Sequence, residues 1–116
     1  MKRYGKAGQY HQSKFQSSSW TRTSRPALVI SNNFFNEKTN ITIVCPITNT
    51  NNKFPLHVPL DNRTSTTGVV LCEHIKALDL NARTYKVIEE IPSDLLEKVI
   101  DIVFSEIEML NEEDYE

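Results

Sequence analysis

No apolar run in this chain of 116 residues approaches the ~20 that a membrane helix needs. Nothing near Met1 resembles a secretory signal either, which points to a soluble cytoplasmic protein with no membrane partner. Glycine is scarce, at three residues, and that excludes a glycine-rich phosphate loop. Cysteine is scarcer still. Cys45 and Cys72 both sit in apolar, strand-like runs, Ile-Val-Cys-Pro and Val-Val-Leu-Cys. Such thiols are expected to be buried and free, and without a third and fourth ligand they cannot make a zinc site. No metal or other cofactor is expected.

Acidic side chains are missing from residues 1–25, which carry six basic groups: Lys2, Arg3, Lys6, Lys14, Arg22 and Arg25. From Glu89 onward eleven acids stand against the single Lys98. The net charge of -2 hides this polarity. A basic stretch is either a solvated tail or a surface for a polyanion, and an acidic helix cannot be the latter.

The length argues for one domain. Residues 1–24 are polar, serine-rich and without period, so they read as an atypical arm, disordered or poorly packed. Order begins at Arg25. Ala27-Leu28-Val29-Ile30 is an apolar run of strand length, and Asn40 to Thr48 is a second strand in which Ile41 and Ile43 alternate with Thr42 and Val44. Between them, residues 36–40 have the chemistry of a turn. Leu56 to Leu60 alternates too, but Pro55 and Pro59 confine it to a sheet edge. Val69 to Cys72 reads as a buried strand, continued past a bend by Ile75 to Leu78, and Thr84 to Ile88 as a last short one. Ser93 suits the N-cap of a helix running to about Leu110, with Leu96, Val99, Ile100, Val103, Ile107 and Leu110 as its apolar stripe. That stripe is core or a dimer seam. The unit is residues 25–110, an α+β barrel-like domain, followed by an acidic tail at 111–116.

From Arg25 to about Ile107 the order of motifs resembles the MazF/PemK family of toxins. Arg25-Pro26-Ala27-Leu28-Val29-Ile30-Ser31 is similar to the family's Arg-Pro strand. Val44-Cys45-Pro46-Ile47-Thr48 resembles its second signature, an apolar strand ending in Pro-x-Thr. Gly68 to Asp79 resembles its Gly-Val-Ala-Leu block, with His74 where glutamine is usual. The resemblance implies a small SH3-like β-barrel of the CcdB/PemK type with a C-terminal helix, and a homodimer. It also implies an endoribonuclease that cuts single-stranded RNA without metal, held inactive by a cognate MazE-like antitoxin. Operator DNA is a further expected partner, reached through the antitoxin complex.

Metal-free RNA cleavage needs a group to take the 2′-hydroxyl proton, one to stabilise the phosphorane charge and one to protonate the leaving oxygen. Arginine suits the charge role because its planar fork matches phosphate oxygens. Arg25 resembles the family's catalytic arginine by position, and Thr48 its partner, whose hydroxyl orients the scissile phosphate. Ser31, Asn32, Lys53, His74 and Lys76 are expected RNA contacts. The bland readings are a strand-flanking surface charge for Arg25 and a turn-bonding hydroxyl for Thr48.

Family members open with a strand and a loop that residues 9–24 do not spell. Read one nucleotide later with suitable codons, Gln9 to Thr23 gives Asn-Ile-Ile-Lys-Val-Asn-Phe-Asn-Pro-Ala-Leu-Gly-Arg-Glu-Gln, which resembles the missing segment. A frameshift opening near Gly8 and closing before Arg25 is therefore expected, along with loss of the first strand and of the loop glutamate. Two other functions compete: an inactive remnant that binds antitoxin, and a gyrase-poison-like protein-binding module that needs neither Arg25 nor Thr48 for chemistry.

Overall fold

The computed structural model describes residues 14–18, 25–50, 54–79, 81 and 85–111. Seven strands and two helices follow in the order β1 (Lys14–Ser18), β2 (Arg25–Val29), α1 (Asn33–Thr39), β3 (Ile41–Thr48), β4 (His57–Pro59), β5 (Val69–Leu71), β6 (Lys76–Asp79), β7 (Tyr85–Glu90) and α2 (Ser93–Ile107). Every strand pairing is antiparallel, in the order β4-β5-β3-β2-β1-β7, with β6 also on β3.

β3 organises the sheet. One flank carries β2, with Ala27 opposite Pro46 and Val29 opposite Val44. The other flank carries β6 along its first half and β5 at its end, where Ile47 meets Val70 and Thr48 meets Val69. Where that flank changes partner the alternation breaks, and the successive residues Val44 and Cys45 are both buried. The two belong to the clusters on opposite faces of the strand.

Two apolar clusters fill the two faces. Leu28, Cys45, Ile47, Val58, Val70 and Cys72 pack with Ile91, Leu95, Leu96 and Val99, which brings α2 onto one face. Ala27, Val29, Val44 and Leu78 form the second cluster. In a strand, neighbours point to opposite sides. The unbroken run Ala27-Leu28-Val29 is apolar because both of its faces are covered. Each valine or leucine side chain buried this way contributes about 1.5–3 kcal/mol.

Four expectations are corrected. Residues 14–18, assigned to a strandless arm, form β1, paired with β2 (Phe15 opposite Leu28) and with β7. Residues 1–13 and 19–24 of that arm lie outside the described residues. The expected turn at 36–40 is mostly helix. The Asn32 side chain caps α1 by accepting from the Phe35 N–H, and Asn40, at φ 56°, ends it in the left-handed region that asparagine tolerates. Ser93 is the first residue of α2 and not its cap, since the Leu95 and Leu96 N–H groups donate to the Pro92 carbonyl. Finally, α2 ends at Ile107 and not near Leu110, and at this end of the stripe Ile107 is 71% and Leu110 46% exposed, outside the core of the single chain. Val58 is buried and β4 lies at a sheet edge, as its prolines require.

Candidate active site

Arg25 is the first residue of β2 and is exposed; Thr48 is the last residue of β3 and is half-buried. The β2–β3 register runs Val29–Val44, Leu28–Cys45, Ala27–Pro46. Carried two residues further, it sets Arg25 level with Thr48. Directly opposed residues of an antiparallel pair put their side chains on the same face, with Cβ atoms about 4.5–5.5 Å apart. Alternation from Ala27, Val29 and Val44 places both on the face away from α2.

Thr48 is held from two sides. Its hydroxyl accepts from the Thr50 N–H at 3.2 Å, which leaves the hydroxyl proton to donate. Its carbonyl lies against Gly68, where an added Cβ would stand 2.3 Å from the carbonyl oxygen. Gly68 has φ +117°, a conformation that glycine alone adopts without strain. The neighbouring Asn49 side-chain oxygen accepts from the Thr67 hydroxyl at 2.9 Å.

The loop that delivers Gly68 is strapped down at several points. The Leu60 N–H donates to the Gly68 carbonyl at 2.9 Å, closing its base. Arg63 pairs with Asp61 at 2.8 Å and reaches Asp94, in the first turn of α2, through two bonds of 2.9 Å. Hydrogen bonds from that guanidinium hold both aspartates below the usual carboxylate range. Glu89, on β7, accepts from the Ser65 N–H at 3.1 Å and from the Thr66 N–H and hydroxyl at 2.8 Å each. Partial burial works to raise the Glu89 pKa, yet these donors lower it overall.

The remaining expected contacts spread along the sheet. Lys76 is exposed opposite Val44, four residues or about 13 Å along β3 from Thr48, and on the same face. Ser31 and Asn32 are six and seven residues beyond Arg25. The Ser31 hydroxyl donates to the Asn36 side-chain oxygen at 2.5 Å and accepts from the Ile43 N–H at 2.9 Å. Asn32 is buried as the α1 cap. Both therefore use their side chains within the fold. Lys53 lies outside the described residues.

His74 has a neighbour that local spacing concealed. Glu73 accepts from His57 Nε2 at 2.9 Å and stands 3.7 Å from His74 Nε2. His57 is 6% exposed and its Nδ1 is unpartnered, as is the second Glu73 oxygen, while the His74 side chain is 57% exposed. Burial works to raise the Glu73 pKa, but the His57 hydrogen bond and the backbone lower it overall. The pairing follows from the β4–β5 register, which sets His57 beside Leu71. Both cysteines are free, and burial pushes each thiol up to about 12. Among the described residues no cluster of three His, Cys, Asp or Glu could hold a metal ion.

Sequence reasoning missed Gly68, Asn49, Thr67 and Glu89 as builders of the site. Gly68 carried a usable signal, as a rare glycine directly before an apolar strand. The Glu89 contacts span 23 and 24 residues and left no local trace.

An antiparallel sheet of short strands with a C-terminal helix packed on one face defines a small SH3-like barrel. A family model described as "PemK-like, MazF-like toxin of type II toxin-antitoxin system" matches residues 11–103, reaching back into the atypical N-terminal segment. The chain belongs to that family. It is 32% identical to Endoribonuclease PemK of Escherichia coli over 66% of its own length, and spans about three-fifths (61%) of that protein. Among solved structures, it resembles a MazE-MazF structure from Deinococcus radiodurans with a TM-score of 0.77 and 31% identity. That match covers 84% of this chain and 93% of the other. MazF alone from the same organism matches with a TM-score of 0.75, 29% identity and coverage of 83% and 94%. A mycobacterial endoribonuclease in complex with its cognate antitoxin shares the fold at a TM-score of 0.71, with 18% identity and coverage of 84% and 95%.

Proposed function

We propose that this chain is an endoribonuclease of a toxin–antitoxin pair that cuts single-stranded messenger RNA without metal. The observation that carries the reading is the placement of the exposed Arg25 and the half-buried Thr48 at the same end of the paired strands β2 and β3. The Arg25 guanidinium offers a fixed fork to the phosphorane oxygens as charge builds on them. The Thr48 hydroxyl, with its proton uncommitted, donates to the scissile phosphate and orients it for in-line attack by the 2′-hydroxyl. The 2′-oxygen bonds to phosphorus as the 5′-oxygen leaves, and Arg25, in its second role, helps pass the 2′-hydroxyl proton to that leaving oxygen, giving a 2′,3′-cyclic phosphate and a free 5′-hydroxyl.

Lys76, on the same face, receives the next stretch of RNA backbone; the exposed His74 is a further proposed contact, as is Lys53, which lies outside the described residues. Ser31 and Asn32 shape the far end of that path through the α1 cap. The expected partners are single-stranded RNA, a cognate antitoxin, operator DNA through the antitoxin complex, and a second copy of the chain. The exposed apolar side chains at and just beyond the end of α2, Ile107 and Leu110, support that last partner. A cytoplasmic location suits an mRNA substrate, and among the described residues no helix is long and apolar enough to cross a membrane.

The test is cleavage of a long single-stranded RNA in EDTA by the chain, its Arg25→Ala variant and a frame-repaired version. Cutting by the chain and not by Arg25→Ala supports the reading. Cutting by the repaired version alone makes this chain a broken toxin. If nothing cuts, the ribonuclease reading fails in favour of a protein-binding module.

A further inference from the structure

We propose that Glu89 is a positioning residue for the Thr48 half of the active site, acting at a distance through the Ser65–Gly68 turn. The role rests on the ribonuclease reading above. Glu89 itself is remote from the reacting groups by topology: it sits on β7, at the end of the sheet order, whereas Thr48 ends β3. What joins them is the turn. One carboxylate oxygen accepts from the Ser65 N–H and the other from the Thr66 N–H and hydroxyl. The next residue, Thr67, donates to Asn49, and the one after, Gly68, is packed against the Thr48 carbonyl. Val69 follows directly as the strand partner of Thr48.

The contact at Gly68 has no slack, since even a methyl group would collide with the Thr48 backbone. A shift of the turn is therefore passed to Thr48, and with it to the hydroxyl that meets the phosphate. Three donors converge on Glu89, so only a carboxylate satisfies them all. A glutamine of the same shape would turn an N–H₂ group toward one of those donors. Misplacing a positioning group by about 1 Å is enough to lower a rate up to ~100-fold.

The experiment is a double-mutant cycle in RNA cleavage, using the full chain, Glu89→Gln, Thr48→Ala and the double variant, with melting curves for all four. Glu89→Gln is expected to lower kcat about tenfold with KM within about twofold, since orientation is lost and not binding. The double variant is expected to fall little below Thr48→Ala, because both changes remove the same placement. Glu89→Asp, which keeps the carboxylate, recovers part of the rate, and it replaces Glu89→Gln in the cycle if that variant does not fold. Additive losses overturn the proposal, as does a change confined to KM or a rate loss that disappears on cooling to where the variants are equally folded. A parent chain that leaves RNA uncut overturns the ribonuclease reading and this role with it; additive losses in an active parent overturn this role alone.

Discussion

Arg25 and Thr48 stand at the same end of neighbouring antiparallel strands, the guanidinium on the first residue of β2 and the hydroxyl on the last of β3. Neither is needed to hold the sheet, since Arg25 is exposed and the Thr48 hydroxyl makes one local bond to the Thr50 N–H. Their removal should separate catalysis from folding. Arg25→Ala is expected to lower cleavage about a hundredfold, the usual loss for one donor aimed at a developing oxyanion. Its melting temperature should stay within a degree or two of the parent's, on the order of a neutral surface change. Arg25→Lys should restore little, because a point charge does not reproduce the fork. Kinetics beside thermal melts check all three statements.

Gly68→Ala should be damaging in a different way. The new Cβ meets the Thr48 carbonyl at 2.3 Å, and φ +117° is strained for any side chain. Backbone strain alone costs about 1–3 kcal/mol. Both stability and activity are expected to fall, as chemical denaturation and RNA cleavage would show; a variant as stable as the parent would contradict the contact.

The two thiols should be inert in the folded chain. With pKa values pushed up to about 12 by burial, Cys45 and Cys72 hold almost no thiolate at pH 8. A thiol reagent at that pH is expected to label neither in native buffer and both in denaturant. Reductant should leave the melting temperature unchanged.

Acid should loosen the loop before the sheet. Glu89 has its pKa lowered by the Ser65–Thr66 donors, and Asp61 and Asp94 theirs by Arg63. A carboxylate with a depressed folded pKa contributes stability that is fully present above its unfolded value, 4.5 for Glu89 and 3.8 for the aspartates. That contribution is lost as pH falls through the lower folded value. Glu106 has the opposite sign: burial and the nearby Glu73 raise its pKa, so its ionisation opposes folding as pH rises. Denaturation midpoints are expected to drop below pH 4.5, and Glu89→Gln should flatten that limb. An equally steep limb in Glu89→Gln would exclude Glu89 as its source.

The N-terminal segment can be tested at the level of the gene. Codons for Ser17, Ser18 and Ser19 that cannot be read one nucleotide later as Pro-Ala-Leu would end the frameshift idea. If the codons allow it, the repaired chain is expected to melt higher than this one, because isoleucine in place of His11 and valine in place of Ser13, ahead of a phenylalanine at 15, supply the apolar alternation of a first strand. An unchanged melting temperature would count against it.

The sequence by itself determined the strands from Arg25 onward, the edge position of β4 and the buried state of both cysteines. Those features follow from local rules: β-branched runs, proline without a donor, apolar neighbours. It also brought Arg25 and Thr48 forward, because each sits within a short motif. Only the tertiary structure decided that Arg25 and Thr48 share a strand end, that Glu73 stands between two histidines, and that Ser31 and Asn32 spend their polar atoms on α1. Lys14–Ser18 joins the sheet although its composition reads as loop. Backbone pairing with β2 and β7 asks for extended geometry on both sides, and hydrogen bonds between main chains are indifferent to the side chains they carry. The clamp of Glu89 on Ser65 and Thr66 belongs to the same class, for its donors lie 23 and 24 residues away and no local pattern records a contact made only when the sheet closes.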